Sequence, residues 1–202
     1  MTGTKRLPLA KAGATNVGDH ERNLVLAAQR GDATAFQELY DHYRARVYSL
    51  AVYSTGDETL AQDLVQAVFL NVFRGIRRFR FQSSFSTWVY RITYNECQNY
   101  HRRHRGNFVP LEAILGGSDE IDPSPVSEAQ HARQECQSIL QQAVMQLPFQ
   151  MREAVVLRYV EGLSYEEMAQ VLGCAPGTVA SRLSRALTEL EERIRPFRRF
   201  LY

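Results

Sequence analysis

No apolar run in this 202-residue sequence approaches the ~18 residues that a membrane-spanning helix needs, so no insertion into a bilayer is expected. Residues 1–19 are basic but lack the apolar core of a secretory signal, and they read as an N-terminal extension outside the fold. Cysteine is scarce. Cys97, Cys136 and Cys174 are odd in number, far apart and form no C-x-x-C. That pattern argues against a disulfide framework or a structural zinc site and suits a reducing cytoplasm. P-loop, G-x-S-x-G and H-E-x-x-H patterns are all missing. No enzyme activity, small-molecule substrate or cofactor is therefore expected. Sustained period-two alternation bounded by turn signals is missing too, so the expected fold class is all-α.

What is present is unevenly charged. The formal net charge of +2 conceals a basic block at 20–105 with 12 arginines against eight acids. Residues 106–128 then carry five acids and no base, and residues 129–202 carry nine arginines against eight acids. Such asymmetry points to a polyanionic partner. The acidic strip contains Gly116-Gly117, Pro123 and Pro125, which break helix and strand alike. It reads as a flexible linker, with a short apolar contact at Val109–Leu115, between two small helical domains at 20–105 and 129–202.

In the first domain, Leu24, Val25 and Ala28 share one helical face, and Gly31-Asp32 breaks that helix. Asp32 suits the cap of the next, where Phe36, Leu39, Tyr40, Tyr43, Val47 and Leu50 recur at helical spacing. A third helix carries Leu60, Leu64, Val68 and Val72 inward, with Asp63 and Gln66 outward, and is expected to end or kink at Gly75. A fourth is expected from Ser86 or Thr87 to about Arg105, burying Trp88, Val89 and Ile92. In the second domain, one helix over 129–146 is followed by another opened by Pro148, with Ala154, Val155, Leu157 and Val160 inward and Gly162 closing it.

The run LSYEEMAQVLGCAPGTVASRLSRA, residues 163–186, has a sharper meaning. Ser164 and Glu167 form a capping box, Gly173 suits a tight turn, Pro176 opens the next helix, and Val179 and Leu183 face inward. Thr178, Ser181, Arg182 and Arg185 then lie on the outer face. This is a helix-turn-helix whose second helix carries the hydroxyls and guanidinium groups that contact phosphates and guanine edges of duplex DNA.

A second constellation lies between residues 74 and 105. Eight arginines are interleaved with Phe79, Phe81, Phe85, Trp88, Tyr90, Tyr94 and Tyr100, and Glu96 is the only acid. Cations follow a phosphate backbone, and aromatic faces accept unstacked bases, so the combination suits single-stranded nucleic acid. The Gln82-Ser83-Ser84 loop supplies hydrogen-bonding groups for an extruded base. Cys97, His101 and His104 share a helical face, but the cationic run NYHRRHR disfavours a divalent ion, and they read as polar residues of a DNA-facing helix.

The stretches DLVQAVFLNVF (63–73), FSTWVYRITYN (85–95), REAVVLRYVEGLSYEEMAQVLG (152–173) and GTVASRLSRAL (177–187) resemble bacterial RNA polymerase sigma factors of the extracytoplasmic-function class. The resemblance covers roughly 20–105 and 129–196. It implies that the first domain is region 2, docking through Asp63 and Gln66 on the clamp of the polymerase β′ subunit. The loop and helix after it would bind the −10 element as a single strand through Arg80, Phe81, Gln82, Ser83, Ser84, Trp88, Arg91, Asn95, Arg102 and Arg103. The second domain would be region 4, reading the −35 duplex through Thr178, Ser181, Arg182 and Arg185 while touching the β flap. The linker would thread near the RNA exit path, and an anti-sigma factor would regulate the protein in the cytoplasm. Ala67, Asn99 and Ala180 depart from the family pattern, which commonly has an acid, an aspartate and a base there. A stand-alone helix-turn-helix regulator that needs no polymerase is the alternative reading.

Overall fold

The computed structural model describes residues 14–103 and 128–200. The expected linker at 106–128, apart from its last residue, and the contact at Val109–Leu115 lie outside the described residues, as do His104 and Arg105.

Lobe one is built from α1 (Ala14–Gln29), α2 (Ala33–Thr55), α3 (Glu58–Ile76) and α4 (Phe85–Arg103). α1 starts within the stretch read as an N-terminal extension. Its turn into α2 uses Gly31 at φ +96°, a conformation that a Cβ disfavours. Asp32 then caps α2 by accepting from Thr34 N (2.9 Å) and Ala35 N (3.1 Å). Replacing such a cap by alanine costs about 1 kcal/mol. The inward faces meet in a core of Val25, Leu39, Tyr43, Val47, Val68, Val72 and Val89. Each such aliphatic side chain contributes about 1.5–3 kcal/mol on burial.

Gly75 does not end α3; the helix runs on to Ile76. Its role is steric. A Cβ at Gly75 would stand 3.0 Å from Trp88 Cζ2, so the missing side chain lets the indole of α4 lie against α3. α4 starts at Phe85, with Ser84 Oγ accepting from Thr87 N at 3.1 Å. Val89 is fully buried, whereas Trp88 and Ile92 are half-buried.

Lobe two comprises α5 (Glu128–Met145), α6 (Phe149–Val155), α7 (Tyr165–Leu172) and α8 (Pro176–Ile194), followed by a 3-10 turn at Arg195–Phe200. The helix opened by Pro148 does not stay α-helical. At Val156–Val160 it widens into a π turn. The wider turn shifts the helical phase of its own last residues, so Val160, expected inward, is 51% exposed beside Tyr159. The helix-turn-helix forms as its residue types dictate. Ser164 accepts from Glu167 N (3.2 Å), Glu167 accepts from Ser164 N (2.8 Å), and Gly173 takes φ +63°. Val179 and Leu183 are buried against α7.

The lobes are docked. Leu50, Tyr90 and Tyr94 of lobe one join the core of lobe two, and Tyr94 stacks on Phe149 with centroids 5.8 Å apart. Tyr90 donates to Glu161 Oε2 at 2.5 Å. Arg152, only 2% exposed, donates from Nη2 to the Ser54 carbonyl of α2 (3.0 Å) and from Nη1 to the Met145 carbonyl (2.6 Å). The same Ser54 carbonyl accepts from His101 Nε2 at 2.7 Å. Nothing in the residue pattern signals this docking, because its polar members look like ordinary exposed helix positions.

Candidate nucleic-acid interface

Three surfaces are relevant, and each is an outcome of helix phase. On α3, Asp63 and Gln66 are exposed, opposite the buried Leu64, Val68 and Val72. Steps of three and four residues continue the same face to Leu70 and Phe73, 48% and 60% exposed. Sequence reasoning missed these two, because it sorted apolar residues inward. Their signal was the same spacing that placed Asp63 and Gln66 outside.

The second surface is the loop before α4 and the outer stripe of α4. Arg80, Gln82 and Ser84 are exposed, and Phe81 and Ser83 are partly so. Phe81 has φ +55°, and its ring packs against Phe79 at 5.0 Å. Ser84 Oγ is shared between Ser86 Oγ (2.9 Å) and Thr87 Oγ1 (2.7 Å). Beyond the loop, Trp88, Arg91, Asn95, Gln98 and Arg102 succeed one another by three or four residues on one helical face. Trp88 is held among Phe79 (5.0 Å) and Phe85 (5.6 Å), leaving part of the indole uncovered. Arg91, Asn95, Arg102 and Arg103 are exposed. Arg102 Nη2 donates to Asn99 Oδ1 at 2.9 Å, so Asn99 steadies that guanidinium. Glu96, the acid in this cationic stretch, accepts from Asn71 Nδ2 at 2.9 Å and is turned toward α3.

The third surface is the reading face of α8. Thr178, Ser181 and Arg182 are half-buried and Arg185 is exposed. Arg185 thus takes the outer position expected of it, whereas Thr178, Ser181 and Arg182 are partly covered. All four line a cleft of about 650 Å³ whose opposite wall includes Gln98, His101 and Arg102 of α4. Arg182 Nη1 is buried without a hydrogen-bond partner, and Ser181 Oγ donates to the Thr178 carbonyl at 2.9 Å. Among the described residues no carboxylate lines this cleft, although three arginines do.

Glu153, missed in the sequence, lies beneath these walls. It is 2% exposed, and burial pushes its carboxyl up to about 7, with the Arg152 guanidinium and the Ser54 hydroxyl drawing it partly back. Cys97 is buried beside it, and burial raises its thiol well above the ordinary range. Among the described residues no group of three or more His, Cys, Asp or Glu could hold a metal ion. Among them also no helix is long and apolar enough to cross a membrane.

Comparison with known proteins agrees with this geometry. The family profile of sigma-70 region 2 matches residues 39–106, and that of sigma-70 region 4 matches residues 137–190. The chain is 34% identical over 188 residues to the RNA polymerase sigma-H factor of Pseudomonas aeruginosa, covering 90% of this chain and 97% of that one. It is 34% identical over 183 residues to the ECF RNA polymerase sigma-E factor of Escherichia coli, covering 86% and 93%. Among solved structures, CnrH in complex with the cytosolic domain of CnrY shares the fold, with a TM-score of 0.66 at 24% identity over 88% of this chain and 99% of that one. The sigma factor RpoE of Bartonella quintana, solved with the anti-sigma factor NepR, matches with a TM-score of 0.60 at 25% identity over 79% and 96%. A cationic, aromatic-lined helix joined to a helix-turn-helix, matched along both lobes by these relatives, makes the chain a member of the RNA polymerase sigma factors of the extracytoplasmic-function class.

Proposed function

We propose that the chain binds core RNA polymerase through the exposed face of α3, directs it to promoters and opens the DNA there. The observation that carries this reading is the pairing of two unlike nucleic-acid surfaces in one chain. One is a helix-turn-helix face with Thr178, Ser181, Arg182 and Arg185, suited to the −35 duplex. The other is the loop at 80–84 with the stripe Trp88, Arg91, Asn95, Arg102 and Arg103, suited to the melted −10 strand. Asp63 and Gln66, extended by Leu70 and Phe73, form the docking face for the β′ clamp, and lobe two also meets the β flap. α4 packs against α7, and the reading face of α8 shares a cleft with α4, so duplex reaches that face only after polymerase draws the lobes apart. An anti-sigma factor, as in the Bartonella quintana complex, is the expected regulator, and work on promoter DNA puts the protein in the cytoplasm.

The test is transcription in vitro with core polymerase and a promoter library, with and without this chain. Addition of the chain selects promoters that share a −10 and a −35 motif, and permanganate reactivity appears at the −10 element. Arg182→Ala and Arg185→Ala lower that transcription; a base-reading arginine supplies about 1–3 kcal/mol of discrimination, and a phosphate-binding one acts without sequence preference. Tight, sequence-specific duplex binding without any response to polymerase supports the stand-alone regulator instead.

A further inference from the structure

The three surfaces leave α1 without a task, yet it is fastened with care. The Tyr43 hydroxyl donates to Glu21 Oε1, and His20 Nε2 pairs with Glu38 Oε1 at 2.8 Å, tying the middle of α1 to α2. At its C-terminal end, Gln29 Nε2 donates to the Ile76 carbonyl (2.9 Å) and the Phe79 carbonyl (2.8 Å), the backbone that opens the loop before α4. Between these anchors stands Arg22, exposed, with its guanidinium carbon 4.5 Å from the centroid of the Phe81 ring.

Three observations converge on that contact. Phe81 is the one non-glycine residue among those described with positive φ, so the loop holds this ring in an unfavoured backbone conformation. Phe79 supports the ring at 5.0 Å while Arg22 covers it. Among the described residues, neither ion pair involves Arg22. A guanidinium lying over a ring keeps its N–H donors at its own edge, directed away from the aromatic face. Those donors have no partner among the described residues, and Arg80, next to Phe81 in the chain, is exposed as well. A fixed fork of donors with no acid on it fits a phosphate oxygen.

We propose that Arg22 is a further nucleic-acid-binding residue, forming with Phe81 a stacked cation–ring platform that holds the backbone phosphate of a nucleotide displaced from the non-template strand. The inference rests on the proposed promoter-opening function and deepens it. α1 thereby becomes part of the single-strand site, and Gln29 is a positioning residue that keeps the loop under Arg22.

The experiment uses holoenzyme, assembled from core polymerase and the full chain. Its probes are a forked promoter oligonucleotide with a single-stranded −10 non-template strand and the same promoter as intact duplex. Arg22→Ala is expected to weaken fork binding about tenfold and to lower the slope of log affinity against log salt by about one, the signature of one lost phosphate contact. Binding to the duplex at closed-complex temperature stays unchanged. Arg22→Lys restores the salt slope, because it restores the charge. A double-mutant cycle with Phe81→Leu separates platform from lone charge: the effect of Arg22→Ala shrinks in the Phe81→Leu background if the two act together.

Unchanged fork affinity and salt slope in Arg22→Ala would overturn the proposal. So would an equal loss on fork and duplex, or an effect independent of Phe81. Wild-type holoenzyme that fails to open the promoter at all overturns the promoter-opening function instead, so the two failures are distinguishable. Thermal melting of the Arg22 variants, each expected to match its own background with or without Phe81→Leu because Arg22 is exposed, keeps an unfolded protein from imitating the result.

Discussion

At the scale of single residues, the cations of this chain are almost all arginine. The two lysines are Lys5 and Lys11, so every cation on α3, α4 and α8 is a guanidinium. Arginine is weakly hydrated, lies flat on aromatic rings and presents a rigid fork of donors, which suits surfaces that interleave rings with phosphates. Arg22 over Phe81 and Arg158, whose guanidinium carbon lies 5.5 Å from the Tyr165 centroid, both set a cation over a ring. Gly75 is the complementary case, a residue that matters by its absence of side chain. Gly75→Val would gain helix propensity but push a branched side chain into the Trp88 ring, 3.0 Å from where a Cβ would stand. Overpacking of this kind costs about 1–3 kcal/mol. The expected outcome is a lower denaturation midpoint for lobe one and a red-shifted emission. Trp88 is the one tryptophan of the chain, so fluorescence reads this site without interference.

At the scale of helices, phase decides function. The face of α3 that buries Leu64, Val68 and Val72 obliges Asp63, Gln66, Leu70 and Phe73 to point outward. Phe73→Arg is expected to weaken binding to core polymerase at least tenfold, as the loss of an apolar anchor at an interface does. Its thermal midpoint stays close to wild type, since the ring is 60% exposed and touches chiefly Phe36 edge-on at 5.1 Å. Titration of labelled core polymerase, with melting in parallel, checks both halves. Local signals were legible in advance. Asp32, the Ser164–Glu167 box and Gly173 act within one turn of their own positions, so residue types alone foretold them. The π turn at Val156–Val160 was not legible. Glu161 N donates five residues back to the Val156 carbonyl at 3.1 Å, and the turn brings Val160 out by a phase shift that no α-helical spacing contains. The outward placement of Asp63 and Gln66 was read from periodicity, whereas the roles of Arg91 and Asn95 came only with the family resemblance. Arg22 was missed because its meaning comes from a loop that is nearly 60 residues away in sequence.

At the scale of the whole molecule, the two proposed nucleic-acid surfaces meet at one cleft, and two opposed effects set how firmly. Arg102, Arg182 and Arg185 line one cleft with no carboxylate among its described lining residues, a repulsion that a polyanion relieves by entering. Against it stand the Tyr90–Glu161 and Arg152–Ser54 hydrogen bonds and the stacked Tyr94–Phe149 pair. Glu153 makes this balance depend on pH. Its neighbours from lobe one are Ser54 on α2 and Cys97 and Tyr94 on α4, and from lobe two Arg152, so lobe one supplies much of what keeps water from it. In the docked chain burial holds its carboxyl at about 7, whereas a solvated glutamate titrates near 4.3. A proton is therefore bound more tightly in the docked than in the parted state. Docking is fully favoured below the solvated value, weakens as pH rises toward about 7, and changes no further above it. Full solvation of the carboxyl on parting would make the span roughly 4 kcal/mol, and partial solvation makes it smaller. Energy transfer between dyes on the two lobes is expected to fall between pH 5 and 7.5, the lobes separating as the solution becomes less acidic. Glu153→Gln, which buries without a charge, should remain docked across that range. This variant also separates the carboxyl from His101, which bonds the same Ser54 carbonyl as Arg152. Equal pH profiles for wild type and Glu153→Gln would show that another group, and not this carboxyl, couples protons to the contact between the lobes.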